Sequence, residues 1–431
     1  MGLEQRIADG SAILGVVGLG YVGLPLVVEM ASEGYRVVGF DVAQDKVGLV
    51  NTGSSYIPDV PTERLGALVE SGLIEATLDF SRAAECDAIA ICVPTPLDER
   101  KAPDTSYMEA AASAVAPHLK PGVLVTLEST TYPGTTEEVI QPILESGSLR
   151  VGTDLFLAFS PERVDPGNPT HHTKNTPKVV GGVTPACTQA AVALYERFID
   201  TVVPVSSTRA AEMTKLLENI FRSVNIALVN ELLRLSDRMD IDLWEVIDAA
   251  KTKPFGFMPF YPGPGLGGHC IPIDPFYLSW KAREYDFHTE FIELSGKINE
   301  DMPYYVVRRL MDALNGQRKP LADARVLVLG VAYKADIDDV RESPAIKVAE
   351  LLRDKSAEVV YHDPFVASFS AGGAPVPSVD LTAAEVAAAD AVLLITDHRG
   401  IDYNLVVEHA QLVLDTRNVL KAHDKETVVR F

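Results

Sequence analysis

Cysteines and long apolar runs are both scarce in this chain of 431 residues. Its four cysteines are too few for a disulfide framework in a chain of this size. No apolar run is long enough to span a bilayer, and Met1–Arg6 carries an acid and no apolar core of the kind that signal peptides have. We therefore expect a cytoplasmic protein of a reducing compartment.

Basic residues are also few. The chain has 38 Lys and Arg against 60 Asp and Glu, which gives a net charge of −22. Because so acidic a surface repels nucleic-acid phosphates and anionic lipids, we expect neither nucleic acid nor a membrane as a partner. Any anionic ligand must then be held by a few local cations. The chain length predicts two or three domains, and 47% apolar residues suffice for their cores.

Short apolar runs alternate with helix-length segments near both ends of the chain, which is the pattern of parallel α/β units. The strands predicted for the first unit are Ala12–Val17, Tyr35–Phe40, Asp87–Val93, Val123–Leu127 and Leu155–Phe159. The strands predicted for the last unit are Arg325–Val331, Glu358–His362, Ala391–Thr396 and Leu412–Asp415. The sequence thus predicts a parallel sheet at each end of the chain.

A helical region separates the two α/β units. Apolar residues follow a helical period through Met213–Met239 without Gly or Pro, and Ser206–Thr208 supplies capping side chains. We expect an α/β fold with two Rossmann-like parallel-sheet domains joined by a long central helix and a helical middle domain, with a linker at Asn315–Pro320. Such a helix also suits a subunit interface, so we expect a homodimer or a larger homo-oligomer. The expected domains are residues 1–205, 206–314 and 315–431.

A glycine-rich turn follows the first predicted strand and opens a helix. In the G-x-G-x-x-G pattern, Gly18 allows a tight turn, Gly20 lets a pyrophosphate approach the backbone, and Gly23 lets the helix pack on the strand. Asp41 ends the next strand, where it can bind ribose hydroxyls and repel a 2′-phosphate. These residues predict NAD rather than NADP, against the alternative of a ligand-free turn. The predicted cofactor ligands of the loop are Gly18, Gly20, Tyr21, Val22 and Gly23.

Two further loops follow predicted strands and carry hydroxyl groups. Because parallel sheets bind ligands at the carboxyl ends of their strands, Thr95, Ser129 and Thr130 are candidate cofactor or substrate contacts. Ordinary turn hydroxyls would look the same in the sequence. Glu162, in the loop after Leu155–Phe159, is a candidate base or a simple loop ion pair.

Cys270 lies in the glycine-rich segment Gly267–Asp274, where backbone and ligand can approach a thiol closely. We interpret it as a catalytic nucleophile, against the alternative of a structural cysteine. His269 is its neighbour, but adjacent side chains on an extended chain point in opposite directions, so a Cys–His pair is not expected. No His or Cys cluster has metal-ligand spacing, so we expect no metal. The cysteines interpreted as inert are Cys86, Cys92 and Cys187.

The remaining candidates are cations and one amide. Lys215 and Asn219 lie one helical turn apart and could stabilise an oxyanion, although a solvated helix face would show the same spacing. Gly330 follows the first strand of the last unit, and Lys334 lies where that loop would meet a nucleotide phosphate. The further cations near strand ends of this unit are Arg341 and Arg417.

Taken together, these motifs resemble the UDP-glucose/GDP-mannose dehydrogenase family over nearly the whole chain. The segments that carry the resemblance are Gly18–Gly23, Val93–Thr95, Ser129–Thr130, Ser160–Arg163, Glu212–Lys215 with Asn219, Gly263–Asp274, Ala332–Lys334 and Arg341–Ser343. The resemblance implies NAD-dependent oxidation of C6 of a nucleotide sugar from alcohol to carboxylate, with two NAD per turnover. It also implies that the Cys270 thiolate forms a thiohemiacetal and then a thioester, which water hydrolyses.

The resemblance implies roles for further residues. Lys215 and Asn219 stabilise oxyanions in this scheme, Asp274 and Thr130 order a water molecule, and Glu162 assists thioester hydrolysis. The implied cofactor contacts outside the first loop are Asp41, Lys46, Thr95, Thr130 and Arg341. The implied substrate ligands are Glu162, Arg163, Lys215, Asn219, Tyr261, Gly263, Gly267, Lys334 and Arg417.

The amino-acid sequences of these motifs are most similar to those of the branch of the family that acts on UDP-N-acetylhexosamines. The segments concerned are Tyr56–Val60, Thr130–Thr136 and Pro262–Pro275. Ile273 stands where glucose-oxidising relatives have a Lys, and only Lys251 and Lys253 stand where they have an Arg that reaches the neighbouring subunit.

The expected substrate is UDP-N-acetylglucosamine, with UDP-N-acetylmannosamine and UDP-glucose as alternatives. One rival reading is a two-electron dehydrogenase of the 6-phosphogluconate or hydroxyacyl type, which would need neither Cys270 nor Lys334. A rival of another class is a catalytically silent nucleotide-sugar-binding protein. Formation of NADH distinguishes the silent protein from the enzymes.

Overall fold

The computed structural model describes residues 2–98, 102–165, 168, 170–268, 271–423 and 425–431. It divides into two compact units, Met1–Glu218 with Trp280–Phe287 and Asn219–Ser279 with His288–Phe431. The expected division into three domains stays a prediction. No helix formed by the described residues is both long and apolar enough to cross a membrane.

The first unit is built on an eight-stranded sheet. Its strands are β1 (Ile13–Val17), β2 (Arg36–Phe40), β3 (Ile74–Thr77), β4 (Ala88–Ile91), β5 (Leu124–Leu127), β6 (Phe156–Phe159), β7 (Lys178–Gly182) and β8 (Val202–Pro204). They lie in the order β3-β2-β1-β4-β5-β6-β7-β8, and every neighbouring pair is parallel except β6 and β7, which are antiparallel. The predicted strands are confirmed with slightly shorter ends. The sequence patterns did not predict β3, β7 and β8.

Helices cover both faces of this sheet. They are α1 (Leu3–Ala8), α2 (Gly23–Ser32), α3 (Gln44–Asn51), α4 (Thr62–Glu70), α5 (Ser106–Val115), α6 (Gln141–Leu144) and α7 (Pro185–Tyr195). Successive residues of β4 pack into different cores, with Ala88 and Ala90 on one side and Ile89 and Ile91 on the other. Because side chains alternate along a strand, a strand buried on both faces reads as a continuous apolar run.

The middle of the chain is helical, as predicted. Its helices are α8 (Thr208–Met239), α9 (Leu243–Ala250), α10 (Asp274–Ala282) and α11 (Glu290–Gly316). The Ser207 hydroxyl accepts a hydrogen bond from the Ala210 N–H at 3.2 Å, which caps α8. The predicted linker Asn315–Pro320 is partly wrong, because α11 continues through Gly316 despite the internal Pro303.

The second parallel sheet contains β9 (Arg325–Leu329), β10 (Glu358–His362), β13 (Ala391–Leu394), β14 (Val413–Asp415) and β15 (Val428–Arg430). The strand order is β10-β9-β13-β14-β15, and all pairs are parallel. The helices of this region are α12 (Pro344–Asp354), α13 (Ala383–Ala388) and α14 (Tyr403–His409), and β11 (Phe369–Ala371) forms a hairpin with β12 (Ala374–Val376). The predicted fold class, two parallel-sheet units with a helical region between them in the chain, is confirmed.

Candidate active site

The glycine-rich loop between β1 and α2 has the geometry that a dinucleotide requires. Gly18 has a φ of +91°, and its N–H donates to the Phe40 carbonyl at 2.7 Å. A Cβ on Gly23 would lie 1.8 Å from the Gly18 carbonyl oxygen, so only glycine lets α2 pack this close. A Cβ on Gly20 would meet nothing within 4 Å, so its backbone is open to a ligand. The loop therefore fits a pyrophosphate at the start of α2.

Asp41 holds this loop in shape. Its Oδ2 accepts the Leu19 N–H and its Oδ1 accepts the Ala43 N–H, both at 2.9 Å, and the side chain is buried. The Lys46 ammonium lies 3.7 Å from Asp41 Oδ2 and is 42% exposed. Asp41 thus holds the shape of the loop in addition to its predicted contact with a ribose. The Lys46 ammonium offsets part of its charge. Neither contact was visible in the sequence pattern.

Ser129, one of the three hydroxyl candidates, ties two strand-end loops together. Its Oγ donates to the Val93 carbonyl at 2.6 Å, and the side chain is buried. This contact assigns Ser129 to the loop framework. Thr95 and Thr130 lie in the same two loops and are partly buried, so they remain candidates for ligand contacts.

Glu212 on α8 anchors the loop that follows Thr130. Its carboxylate accepts the Gly134 N–H at 2.6 Å, the Thr136 N–H at 2.9 Å and the Thr136 hydroxyl at 2.7 Å. Burial raises the pKa of Glu212, and these hydrogen bonds oppose the rise. Glu212 lies within a motif that carries the family resemblance, but the sequence alone predicts no role for it.

Glu162 lies in the loop after β6 with its carboxylate partly buried. Its Oε1 accepts the N–H groups of Arg163 and Val164, both at 2.7 Å. Arg163, a predicted substrate ligand, instead pairs with Glu218 at 2.5 Å and donates to the Pro177 carbonyl at 2.6 Å. These contacts hold the Arg163 guanidinium in the first unit, and its role as a substrate ligand stays a prediction.

Lys215 and Asn219 project from successive turns of α8, and both are buried, so neither lies on a solvated helix face. Among the described residues, the Lys215 ammonium has no hydrogen-bond or ion-pair partner. A Lys side chain that is largely buried and has no counter-ion among the described residues is available to a negative charge on a ligand. This burial is what an oxyanion-stabilising Lys requires.

Asn219 is oriented by two neighbours. Its Nδ2 donates to Asp274 Oδ2, and its Oδ1 accepts from the Arg222 guanidinium. Asp274 begins α10 and is buried. The structure thus brings the predicted residues Asn219 and Asp274 into direct contact. Cys270 and His269 lie outside the described residues, so the nucleophile itself stays a prediction from the sequence.

The segment before Cys270 packs against loops of the second sheet. The Gly263 N–H donates to Asn230 Oδ1 at 3.0 Å, and a Cβ on Gly263 would lie 2.6 Å from Arg417 Nη1. A Cβ on Gly267 would lie 2.6 Å from the Tyr333 Cβ, next to Lys334 in the chain. Glycine at position 263 therefore permits close approach to Arg417, and glycine at position 267 permits close approach to the loop that carries Lys334.

The Tyr261 side chain contacts residues of α9 and the residue that follows this helix. Its hydroxyl donates to Asp248 at 2.8 Å and accepts from Lys251 at 3.1 Å, and its ring stacks on Trp244. These contacts hold Tyr261 against α9. Its role as a substrate ligand stays a prediction.

Arg417 is held at the carboxyl end of β14. Its Nε donates to the Ile395 carbonyl at 2.8 Å. Burial lowers the pKa of Arg417 to about 10, and the nearby carboxylates Asp397 and Asp415 oppose this. The side chain is therefore still a cation at neutral pH. Arg341 differs from Arg417 in its partner, because the Arg341 guanidinium forms a two-point contact with the Asp339 carboxylate at 2.5–3.0 Å.

The loop that carries Lys334 is built like the first glycine loop. The Gly330 N–H donates to the His362 carbonyl at 3.0 Å, and Asp363 Oδ2 accepts the N–H groups of Val331 and Ala332. The buried His398 also contacts Asp363 Oδ2 at 3.0 Å. Although burial opposes it, hydrogen bonds from His398 and backbone N–H groups hold the pKa of Asp363 at about 2. The Asp363 carboxylate therefore serves as a hydrogen-bond acceptor that holds this loop in place.

Known proteins match the chain along its whole length. The models of the UDP-glucose/GDP-mannose dehydrogenase family match residues 12–199 (NAD binding domain), 209–301 (central domain) and 327–422 (UDP binding domain). The chain is 37% identical to the NDP-N-acetyl-D-galactosaminuronic acid dehydrogenase of Ralstonia solanacearum, covering 97% of this chain and 99% of the relative. It is 38% identical to the UDP-N-acetyl-D-glucosamine 6-dehydrogenase of Pseudomonas aeruginosa, covering 82% and 83%.

The fold matches solved structures equally well. The UDP-D-ManNAc dehydrogenase of Pyrococcus horikoshii superimposes with a TM-score of 0.88 at 33% identity, and 97% of this chain and 98% of that chain are covered. The open glycine loop and the agreement of sequence and fold lead to one conclusion. The chain belongs to the UDP-glucose/GDP-mannose dehydrogenase family and is an NAD-dependent oxidoreductase of UDP-sugars.

Proposed function

We propose that the protein oxidises C6 of UDP-N-acetylglucosamine from alcohol to carboxylate, a four-electron reaction that consumes two NAD. The observation that carries the proposal is the Lys215 side chain, which is only 6% exposed and has no counter-ion among the described residues, one helical turn from the buried Asn219. A cation and an amide prepared for an oxyanion are what aldehyde and thioester chemistry require.

Bound NAD supplies the acceptor for the hydride that leaves C6 in each oxidation. Asp274 and Thr130 order a water molecule that takes the hydroxyl proton. The Cys270 thiolate then adds to the aldehyde carbon, because a tetrahedral carbon is a far better hydride donor than an aldehyde. Lys215 and Asn219 stabilise the resulting oxyanion. Loss of the second hydride leaves a thioester on Cys270.

Hydrolysis of this thioester completes the reaction. The oxygen of a water molecule bonds to the carbonyl carbon while Glu162 takes a proton from it. The carbon–sulfur bond then breaks, and the Cys270 sulfur leaves as a thiolate. The products are the uronate and the free enzyme, ready for another sugar.

The nucleotides are divided between the two sheets in this proposal. Residues 1–205 bind NAD through the glycine loop, Asp41 and Lys46, and residues 315–431 bind the UDP moiety through Lys334 and Arg417. Residues 206–314 contribute α8 and the Cys270 loop. The three described cysteines outside that loop are free and buried, which supports a reducing compartment such as the cytoplasm.

The choice of an N-acetylated sugar is supported by the relatives. The two named above act, by their names, on N-acetylgalactosamine and N-acetylglucosamine derivatives, and the solved structure is of a ManNAc enzyme. All three sugars share the acetamido group at C2 and differ in configuration. UDP-N-acetylmannosamine is therefore the principal alternative substrate, and UDP-glucose is a further one.

The stoichiometry of NADH formation tests this proposal. With limiting UDP-N-acetylglucosamine and excess NAD, we expect two NADH for each sugar consumed and the uronate as product by mass spectrometry. One NADH per sugar would instead support a two-electron dehydrogenase. No NADH with any UDP-sugar would indicate a silent binding protein.

The charges of Asp41 and Lys46 should affect the preference of the protein for NAD over NADP. Because Asp41 repels a 2′-phosphate, Asp41→Asn should reduce the preference for NAD over NADP about 10- to 100-fold. The Lys46 ammonium, 3.7 Å from Asp41, partly cancels this repulsion. Lys46→Gln should therefore sharpen the preference, by a smaller factor. Steady-state kcat/KM with each cofactor measures both, and equal use of NADP by the wild-type protein would contradict this interpretation.

An apolar stripe on α8 supports a homodimer. Large apolar side chains recur at intervals of three, four or seven residues along the helix and are exposed, namely Met213, Leu217, Phe221, Leu228, Leu232, Leu235 and Met239. We propose that a second copy of the chain covers this stripe, since monomers rarely expose so continuous an apolar surface.

Sedimentation velocity tests the dimer. The wild-type protein should sediment at twice the chain mass, and Leu228→Glu with Leu235→Glu should shift it to the monomer. The matched variant Leu228→Met with Leu235→Met keeps the apolar surface and should remain dimeric. A wild-type monomer at micromolar concentration would refute the proposal.

A further inference from the structure

A buried charged cluster lies at one edge of the first sheet. Glu128 follows β5 directly, Glu162 lies in the loop after β6, and Lys178 is the first residue of β7. Since β6 is parallel to β5 and antiparallel to β7, the end of β5, the end of β6 and the start of β7 meet at the same edge. The reversal of β7 is therefore what brings Lys178 to the two carboxylates.

Lys178 and Glu128 form an almost fully buried ion pair. The Lys178 ammonium lies 2.7 Å from Glu128 Oε2, and the two side chains are 5% and 0% exposed. The Tyr195 hydroxyl donates to the other oxygen, Glu128 Oε1, at 2.5 Å and lies 2.9 Å from Thr126 Oγ1. Both oxygens of Glu128 thus have donors. A buried ion pair contributes little to net stability, because desolvation of the two charges offsets their attraction. Stability alone therefore does not account for this pair.

Glu162 is the third member of the cluster and the one that solvent reaches. Its Oε1 is held by two backbone N–H groups, and its Oε2 faces the Lys178 ammonium at 3.9 Å. Among the described residues, Lys178 is the one cation within ion-pair distance of Glu162. Although burial opposes it, Glu128 and Glu162 raise the pKa of Lys178, so the side chain stays charged.

We propose that Lys178 is a positioning residue: anchored by Glu128, its ammonium orients the Glu162 carboxylate for hydrolysis of the thioester. The inference rests on the proposed function, in which Glu162 takes the proton from the attacking water. The two N–H groups fix Oε1, and the ammonium attracts Oε2, so the carboxylate has one preferred orientation. A general base must be correctly placed to take the proton from water, and Lys178 contributes to that placement.

The first test is Lys178→Met, which removes the charge and keeps most of the length of the side chain. We expect kcat with UDP-N-acetylglucosamine to fall about 10- to 100-fold, a part of the 10²–10⁴ that a general base contributes. KM should change little, because Lys178 does not touch the substrate. Rapid mixing should still give two NADH per site in the first turnover. Acid-quenched intact protein should then carry the mass of the sugar acyl group, and Lys178→Arg should restore turnover.

A double variant separates positioning from charge balance in the interior. Glu128→Gln with Lys178→Met removes both charges of the buried pair, so the fully buried Glu128 is not left as an unpaired ion. This variant keeps the test available if Lys178→Met alone fails to fold. We expect the double variant to stay slow and to accumulate the same acyl enzyme. Wild-type turnover in the double variant would show that Lys178 only neutralises Glu128, and this would overturn the proposal.

The outcomes also distinguish this inference from the proposed function. If the wild-type protein forms two NADH per sugar but neither Lys178 variant accumulates an acyl enzyme, the positioning role is wrong and the function stands. If the wild-type protein oxidises no UDP-sugar, the proposed function itself is wrong, and the role of Lys178 fails with it.

Discussion

Cys270→Ala and Cys270→Ser should lower the rate of uronate formation by more than about 10⁴-fold, the scale of loss expected when a covalent nucleophile is removed. Alanine has no nucleophile. Serine is a weaker nucleophile than a thiolate, and its ester would be a poorer acyl donor to water than a thioester. NAD binding should be unaffected, because the glycine loop proposed to bind NAD lies in a different part of the chain.

The measurement is uronate by mass spectrometry, with NAD affinity by calorimetry as the check on folding. Cys86→Ala is the matched control, since Cys86 is buried and burial raises the pKa of its thiol to about 12, which keeps it unreactive. This variant should keep its activity. Uronate formation at wild-type rates by both Cys270 variants would refute the thioester mechanism.

UDP-N-acetylglucosamine should be oxidised with a kcat/KM about 10⁴-fold higher than that of UDP-glucose if the site hydrogen-bonds the acetamido group. In that case glucose leaves buried polar atoms of the site unpaired. If the site merely has room for the group, the preference should be only about 10- to 200-fold. The size of the ratio thus reports how the C2 substituent is recognised.

The assay is NADH formation with UDP-N-acetylglucosamine, its galacto and manno epimers and UDP-glucose at matched concentrations. A preference for UDP-glucose would contradict the assignment to N-acetylhexosamines and leave the family unchanged. A preference for the manno epimer would move the assignment to the UDP-N-acetylmannosamine enzymes. The configuration at C2 is decided by the placement of single hydrogen-bonding groups, which a sequence does not display.

Local patterns were enough to predict much of this molecule. The apolar runs predicted five strands of the first sheet and four of the second, and the unbroken helical period predicted α8. Burial on two faces of a sheet, or along one stripe of a helix, leaves a regular pattern in the sequence. The glycine loop was equally legible, since a positive φ at Gly18 and the close approach at Gly23 each require glycine. Strand β3, at Ile74–Thr77, buries only Ile74 and Ala76, so it lacks the continuous apolar run by which the predicted strands were recognised.

The partners of charged residues depended on the tertiary structure. Glu212 contacts a loop 76 residues away, Lys178 meets Glu128 across 50 residues, and Asp363 meets His398 across 35. A carboxylate looks the same in the sequence whether it faces water, a ribose or a buried ammonium. Burial of Lys215 and the reversal of β7 were equally invisible. The periodicity of apolar residues indicates which side of a helix or strand is buried. The partner of a charged side chain is determined only when segments distant in the sequence pack together.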